Sequence, residues 1–124
     1  RSDFVSLHVP LTEATRHLID RDALGTMKPT AILVNTARGG VVDTDALYEA
    51  LKAGRIAAAG LDVHEQEPPP PDYKLFDLDN VVLTDHAGWY SEEAQEALQR
   101  TTARNVALVL AGGKPLYCVN PEVL

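Results

Sequence analysis

Four residues able to bind anions or exchange protons recur at near-regular spacing along this chain of 124 residues: His8, Arg38, Asp62 and His86. They lie 30, 24 and 24 residues apart, close to the length of one strand-and-helix unit. A planar guanidinium such as that of Arg38 suits bidentate capture of a carboxylate. The two glycines that follow it, Gly39 and Gly40, read as clearance for a ligand approaching the backbone. His86 would exchange a proton near neutral pH. Glu67, in HEQEPPPP, is by itself a solvated loop carboxylate, but if it reached His86 it would favour the imidazolium. Asp62 sits inside the apolar run GLDV, where a carboxylate requires donors. His8, just before Val9 and Pro10, reads as structural. Taken singly, a strand-end arginine is more often a surface charge, and a strand-end histidine more often bonds backbone. Their common placement is what argues for function.

That placement depends on the elements. Four short apolar runs precede or contain these groups: FVSLHV (4–9), AILVNT (31–36), IAAAGLDV (56–63) and NVVLT (80–84). Their Val, Ile and Leu content on both faces predicts parallel strands covered on both sides. Helical signals fall between them. Thr12 or Asp20 caps a helix within 13–27 that Pro29 stops. Asp43 or Thr44 caps DALYEALKAG, where Ala46, Leu47, Ala50 and Leu51 form one stripe and Gly54 ends the helix. Ser91 opens the long segment SEEAQEALQRTTARNVALVLAGG, its acids placed to meet a helix N-terminus. Its second half, NVALVLA, is apolar almost all round and predicts a different packing environment. The PPPP run (68–71) predicts a stiff loop. Alternating strands and helices predict an α/β parallel sheet. All strand C-termini then lie along one edge, where open α/β sheets bind ligands.

The totals narrow the choice. The length suits one domain with a modest core. Eighteen acids against 11 Lys and Arg give a net charge of −7, which argues against nucleic acid or an acidic membrane as direct partner. The single cysteine, Cys118, excludes an intramolecular disulfide and points to a reducing cytoplasm. No run approaches the roughly 20 apolar residues of a membrane span. The sequence contains no GxSxG, GxxxxGK[ST] or HExxH, and the prolines after HEQE disfavour a metal site there. The opening RSDFVSLHVP has no initiator Met and enters a strand almost at once, so a piece of a longer chain is expected.

In the same order and spacing, SLHVPLTEATRHLI, LVNTARGGVVD, GLDVHEQEP and NVVLTDHAGWYSEEA resemble the D-isomer-specific 2-hydroxyacid dehydrogenases. The likeness extends from residue 1 to about Pro121. The form HAGWYSEEA is most similar to the branch with phosphoglycerate dehydrogenase-like enzymes and the C-terminal-binding-protein corepressors. The resemblance implies the second half of a Rossmann-type doubly wound parallel sheet. Residues 1–106 would be the C-terminal half of an NAD-binding domain. Residues 107–124 would be the end of a long helix and a tail returning toward a substrate domain. It implies NAD as cofactor, a small 2-oxo or 2-hydroxy acid as substrate and a homodimer of the full-length protein. Arg38 then matches the arginine that grips the substrate carboxylate, His86 the acid/base, and Glu67 rather than Glu65 the acid paired with it. Asp62 matches the carboxylate that receives the nicotinamide carboxamide. His8, Val9, Pro10, Thr36, Ala37, Arg38, His86 and Gly88 match cofactor contacts, and Trp89 falls where the corepressor-like branch has an aromatic beside the substrate cleft, with a packing role as the alternative.

Two departures stand out. The family commonly has Pro where this chain has Asp85, and the GxGxxG turn with its ribose-reading acid is expected before residue 1. The expectation is therefore an NAD(H)-dependent 2-oxoacid reductase whose 124-residue piece is inactive alone. The alternative is an NAD(H)-sensing, corepressor-like interaction module without turnover. A third reading, for which Asp85 is the sign, is a site that never assembles.

Overall fold

The computed structural model describes residues 1–123. Four strands form one parallel sheet in the order β1 (Phe4–Leu7), β2 (Ile32–Asn35), β3 (Ala58–Leu61) and β4 (Val81–Leu83). Leu7 pairs with Asn35, Asn35 with Leu61, and Leu61 with Leu83. The strand ends are therefore level, and His8, Thr36, Asp62 and Thr84 are the first residues past that edge. Each strand is shorter than its apolar run because the run continues into the loops that build the site.

The inner strands alternate between buried and half-buried positions, with Leu33, Asn35, Ala59 and Leu61 buried. In this chain the two outermost strands are more open, with Phe4 of β1 69% exposed and Val82 of β4 67% exposed.

Helix α1 spans Arg21–Thr26, capped by the Asp20 side chain accepting from the Ala23 N–H at 2.8 Å. The expected helical region 13–27 is thus helical only in its last part. Residues 12–17 instead form a turn in which the Thr15 hydroxyl donates to the Pro10 carbonyl and accepts from the Thr12 N–H. Threonine side chains compete for backbone partners in this way, and His17 at φ 50° breaks the right-handed path. Helix α2 spans Thr44–Lys52. Asp43 caps it by accepting from the Ala46 N–H at 2.9 Å, and Ala46, Leu47, Ala50 and Leu51 are buried. Gly54 follows at φ 63°, the left-handed position that favours glycine after a helix. Leu24, Leu33, Val41, Leu47, Ile56 and Leu75 lie at the centre of the core. Each stabilises the fold by about 1.5–3 kcal/mol through burial.

The chain divides into two compact units, Arg1–Gly88 and Trp89–Leu124. The second is built on α3 (Glu92–Leu110), capped by Ser91 accepting from the Ala94 N–H. Past its end the Gly113 N–H donates to Leu108 and the Leu116 N–H to the Asn105 side chain. Its apolar Leu98, Val106 and Val109 are exposed. Among the described residues, no helix is long and apolar enough to cross a membrane.

Candidate active site

Asp62, the first residue past β3, is buried at 6% exposure, and its donors come from the loop that follows β4. Oδ1 accepts from the Thr84 hydroxyl at 2.5 Å and the Ala87 N–H at 2.8 Å, and Oδ2 accepts from the Gly88 N–H at 2.8 Å. Burial works against the charge on Asp62. The bonds from Thr84, Gly88 and Ala87, with His86 nearby, outweigh it and hold the carboxyl below its usual range. Gly88 is required by closeness, since a Cβ there would stand 2.8 Å from Asp62 Oδ2. Asp62 thereby fixes the loop that carries His86. One acceptor site on Oδ2 remains beyond these three bonds.

His86 sits in that loop at φ 60°. Its Nδ1 is 2.8 Å from Glu67 Oε2, while Glu67 Oε1 accepts from the His64 N–H at 2.9 Å. The carboxylate is thus held on both oxygens. The His64 N–H first, then His86, keep the Glu67 carboxyl below the ordinary range despite partial burial. His86 Nε2 has no partner among the described residues. The backbone role of His64 was not legible in the sequence, because any residue can supply an N–H. Its ring is buried, with Nε2 3.0 Å from the Thr84 carbonyl and the ring edge against Tyr73. HEQE therefore forms a loop that turns His64 inward and Glu67 toward His86.

Arg38 follows β2 in extended conformation, its Nη1 donating to the Ala37 carbonyl at 2.7 Å. Asn35, buried at the strand end, holds this corner by donating to the Arg38 carbonyl and accepting from the Ala37 N–H. The following glycines have a different purpose from the expected one. A Cβ on Gly39 would lie 2.0 Å from the carbonyl of His64, and one on Gly40 would be 3.1 Å from the Leu11 side chain. They give clearance to the protein's own loops, and so bring the Arg38 turn against the Glu67 loop.

Two open clefts meet at Arg38. One, of about 190 Å³, is bordered by Arg38, Glu65, Glu67, His86 and Leu11. The other, of about 340 Å³, is lined by His8, Val9, Pro10, Thr36, Ala37 and Arg38. His8 Nε2 is also 2.9 Å from the Ser6 hydroxyl, consistent with a structural part for that ring. Asp85 is exposed beside Thr84 and His64. Trp89 packs edge-on against Tyr90 in the second unit. The first cleft has the groups for a carboxylate and a carbonyl, and the second is an open slot along the strand ends.

Residues 1–88 match the D-isomer specific 2-hydroxyacid dehydrogenase, NAD binding domain family. The chain belongs to this family. A glyoxylate reductase of Thermofilum pendens is 54% identical over the whole chain, which covers 37% of that protein. A D-3-phosphoglycerate dehydrogenase of Methanocaldococcus jannaschii is 54% identical over 90% of this chain and 21% of its own length. A D-lactate dehydrogenase with NAD+ from Lactobacillus jensenii superimposes with a TM-score of 0.88 at 35% identity, over 95% of this chain and 39% of that one. The chain thus spans between about a fifth and two fifths of the length of these relatives. Its parallel sheet and long C-terminal helix are those of a Rossmann-type NAD-binding domain. The fourth acceptor position of Asp62, on Oδ2, is of the kind that an amide N–H of such a cofactor would need.

Proposed function

We propose that this chain carries the reacting groups of an NAD(H)-dependent D-2-hydroxyacid dehydrogenase that reduces small 2-oxoacids. The observation that carries the reading is one cleft bordered by Arg38, Glu67 and His86, with Glu67 bonded to the His86 ring. The Arg38 guanidinium pairs with the substrate carboxylate through two charge-assisted hydrogen bonds. His86, protonated and held by Glu67 at Nδ1, delivers a proton from Nε2 to the substrate carbonyl oxygen. Glu67 offsets the charge on the ring in that state and holds it in place, which is general acid catalysis by an oriented imidazole. When bound, the reduced nicotinamide supplies the hydride that completes the reduction. Asp62, Gly88, His86 and the cleft residues His8, Val9, Pro10, Thr36, Ala37 and Arg38 would hold the cofactor.

In this reading residues 1–106 belong to the nucleotide-binding domain, and residues 107–124 lead toward a substrate domain in the intact protein. That protein is a cytoplasmic homodimer. The relatives named glyoxylate reductase and D-lactate dehydrogenase direct the choice of substrates. The test is loss of NADH absorbance on adding glyoxylate, hydroxypyruvate or pyruvate to the intact protein that contains this chain. Arg38→Ala should lower kcat/KM for the accepted acid by about 100- to 1,000-fold, the worth of two charge-assisted bonds. His86→Gln should lower kcat by about 100- to 10,000-fold. Undiminished turnover in either variant removes that residue from the mechanism, and no turnover of any 2-oxoacid removes the reading.

A further inference from the structure

Among the described residues, two that are not glycine have positive φ: His86 at 60° and His17 at 50°. Such backbone is sparsely populated and persists where the surroundings enforce it, commonly at functional sites. Both histidines engage a carboxylate of the same short loop, His86 bonding Glu67 and His17 bonding Glu65 through Nε2. His17 is tied on its other side to the turn after Arg38, its N–H donating to the Gly40 carbonyl at 2.9 Å. Its Nδ1 lies 4.0 Å from Asp43 Oδ2. The loop 64–67 is therefore fixed to the Arg38 turn at two places, the Gly39 contact with the His64 backbone and the His17–Glu65 bond. A single half-exposed side-chain contact is worth too little to account for left-handed backbone at His17. Glu65 also borders the cleft that holds Arg38, Glu67 and His86.

We propose that Glu65, held by His17, is a positioning residue that keeps Glu67 in bonding register with His86. The proposal rests on the dehydrogenase reading and adds to it a bracket between the two loops that carry its reacting groups. In the intact protein, Glu65→Ala lowers kcat about 10-fold, the worth of one hydrogen bond, and leaves the KM for NADH unchanged. Glu65→Gln restores most of the rate, because its amide oxygen still accepts from His17 Nε2. In a Glu67→Gln background, Glu65→Ala costs less than about 2-fold, because residues acting as a unit are not additive. A second readout does not need turnover. In protein labelled with ¹⁵N-histidine, the Nδ1 proton of His86 is visible in the parent and in Glu65→Gln, and is lost to exchange in Glu65→Ala. Should Glu65→Ala fail to fold, His17→Asn makes the same comparison, since Asn tolerates left-handed backbone. An undiminished kcat, an equal loss in both backgrounds, or an unaltered His86 ring proton overturns the bracket. A parent that reduces no 2-oxoacid but shows the ring-proton response overturns the dehydrogenase reading and leaves the bracket standing.

Discussion

Asp62 uses three of its four acceptor sites on the loop bearing His86, so its ionisation is tied to the integrity of the site. Both Asp62 and Glu67 are held below the ordinary carboxylate range. A carboxyl whose folded value is depressed contributes stability above its unfolded value, and that contribution is lost as pH falls through the folded one. The acid limb of stability should therefore begin below about pH 4.5. Asp62→Asn replaces an acceptor oxygen by an NH2 facing backbone donors. It should destabilise the protein at neutral pH by on the order of 2–3 kcal/mol. Urea denaturation between about pH 3 and pH 7 checks both points, because the gap between parent and variant must narrow toward the acid end. A gap independent of pH would mean that the Asp62 charge is not involved. The need of a carboxylate in GLDV for donors was legible in the sequence. Their identity was not, since two are backbone N–H groups more than twenty residues further on.

At the scale of elements, the turn Gly39–Val41 decides how close Arg38 comes to the loop of Glu67. Gly39→Ala would press a methyl group into the His64 carbonyl. Two backbones must then separate, which costs about 2–3 kcal/mol and moves the Arg38 turn away from Glu67 and His86. The expected outcome is a lower urea midpoint together with a kcat/KM loss larger than the loss of folded protein explains. A loss of stability with normal turnover in the folded fraction would show that this spacing is not critical. Asp43→Ala should cost α2 about 1 kcal/mol, the usual worth of an N-cap, seen as a shift in thermal midpoint. Helix α2 was legible because cap, apolar stripe and terminal glycine all agree. The 13–27 region was not, because Thr12, Thr15 and the left-handed His17 divert the chain through local bonds that periodicity does not register. The same diversion hid the His17–Glu65 contact, which joins residues 48 apart.

Across the whole molecule, the regular spacing of His8, Arg38, Asp62 and His86 was enough to place them on one edge, because a parallel sheet with level strand ends converts chain repeats into neighbours. What spacing alone does not supply is a cradle for phosphate. None of the 124 residues forms a GxGxxG, the turn whose N–H groups receive a pyrophosphate. The chain also carries a net charge of −7, which disfavours a dianion without such donors. The 124-residue chain should therefore bind NADH at least about 100-fold more weakly than the intact protein, the difference made by two hydrogen bonds to charged oxygens. Calorimetric titration of both proteins in the same buffer measures this directly. Reduced nicotinamide riboside, which carries no phosphate, should discriminate far less between them, because in the proposed reading its contacts are those assigned to Asp62 and the neighbouring cleft. Equal NADH affinity in the two proteins would show that these residues hold the dinucleotide by themselves, and the division of labour along the sheet edge would have to be redrawn.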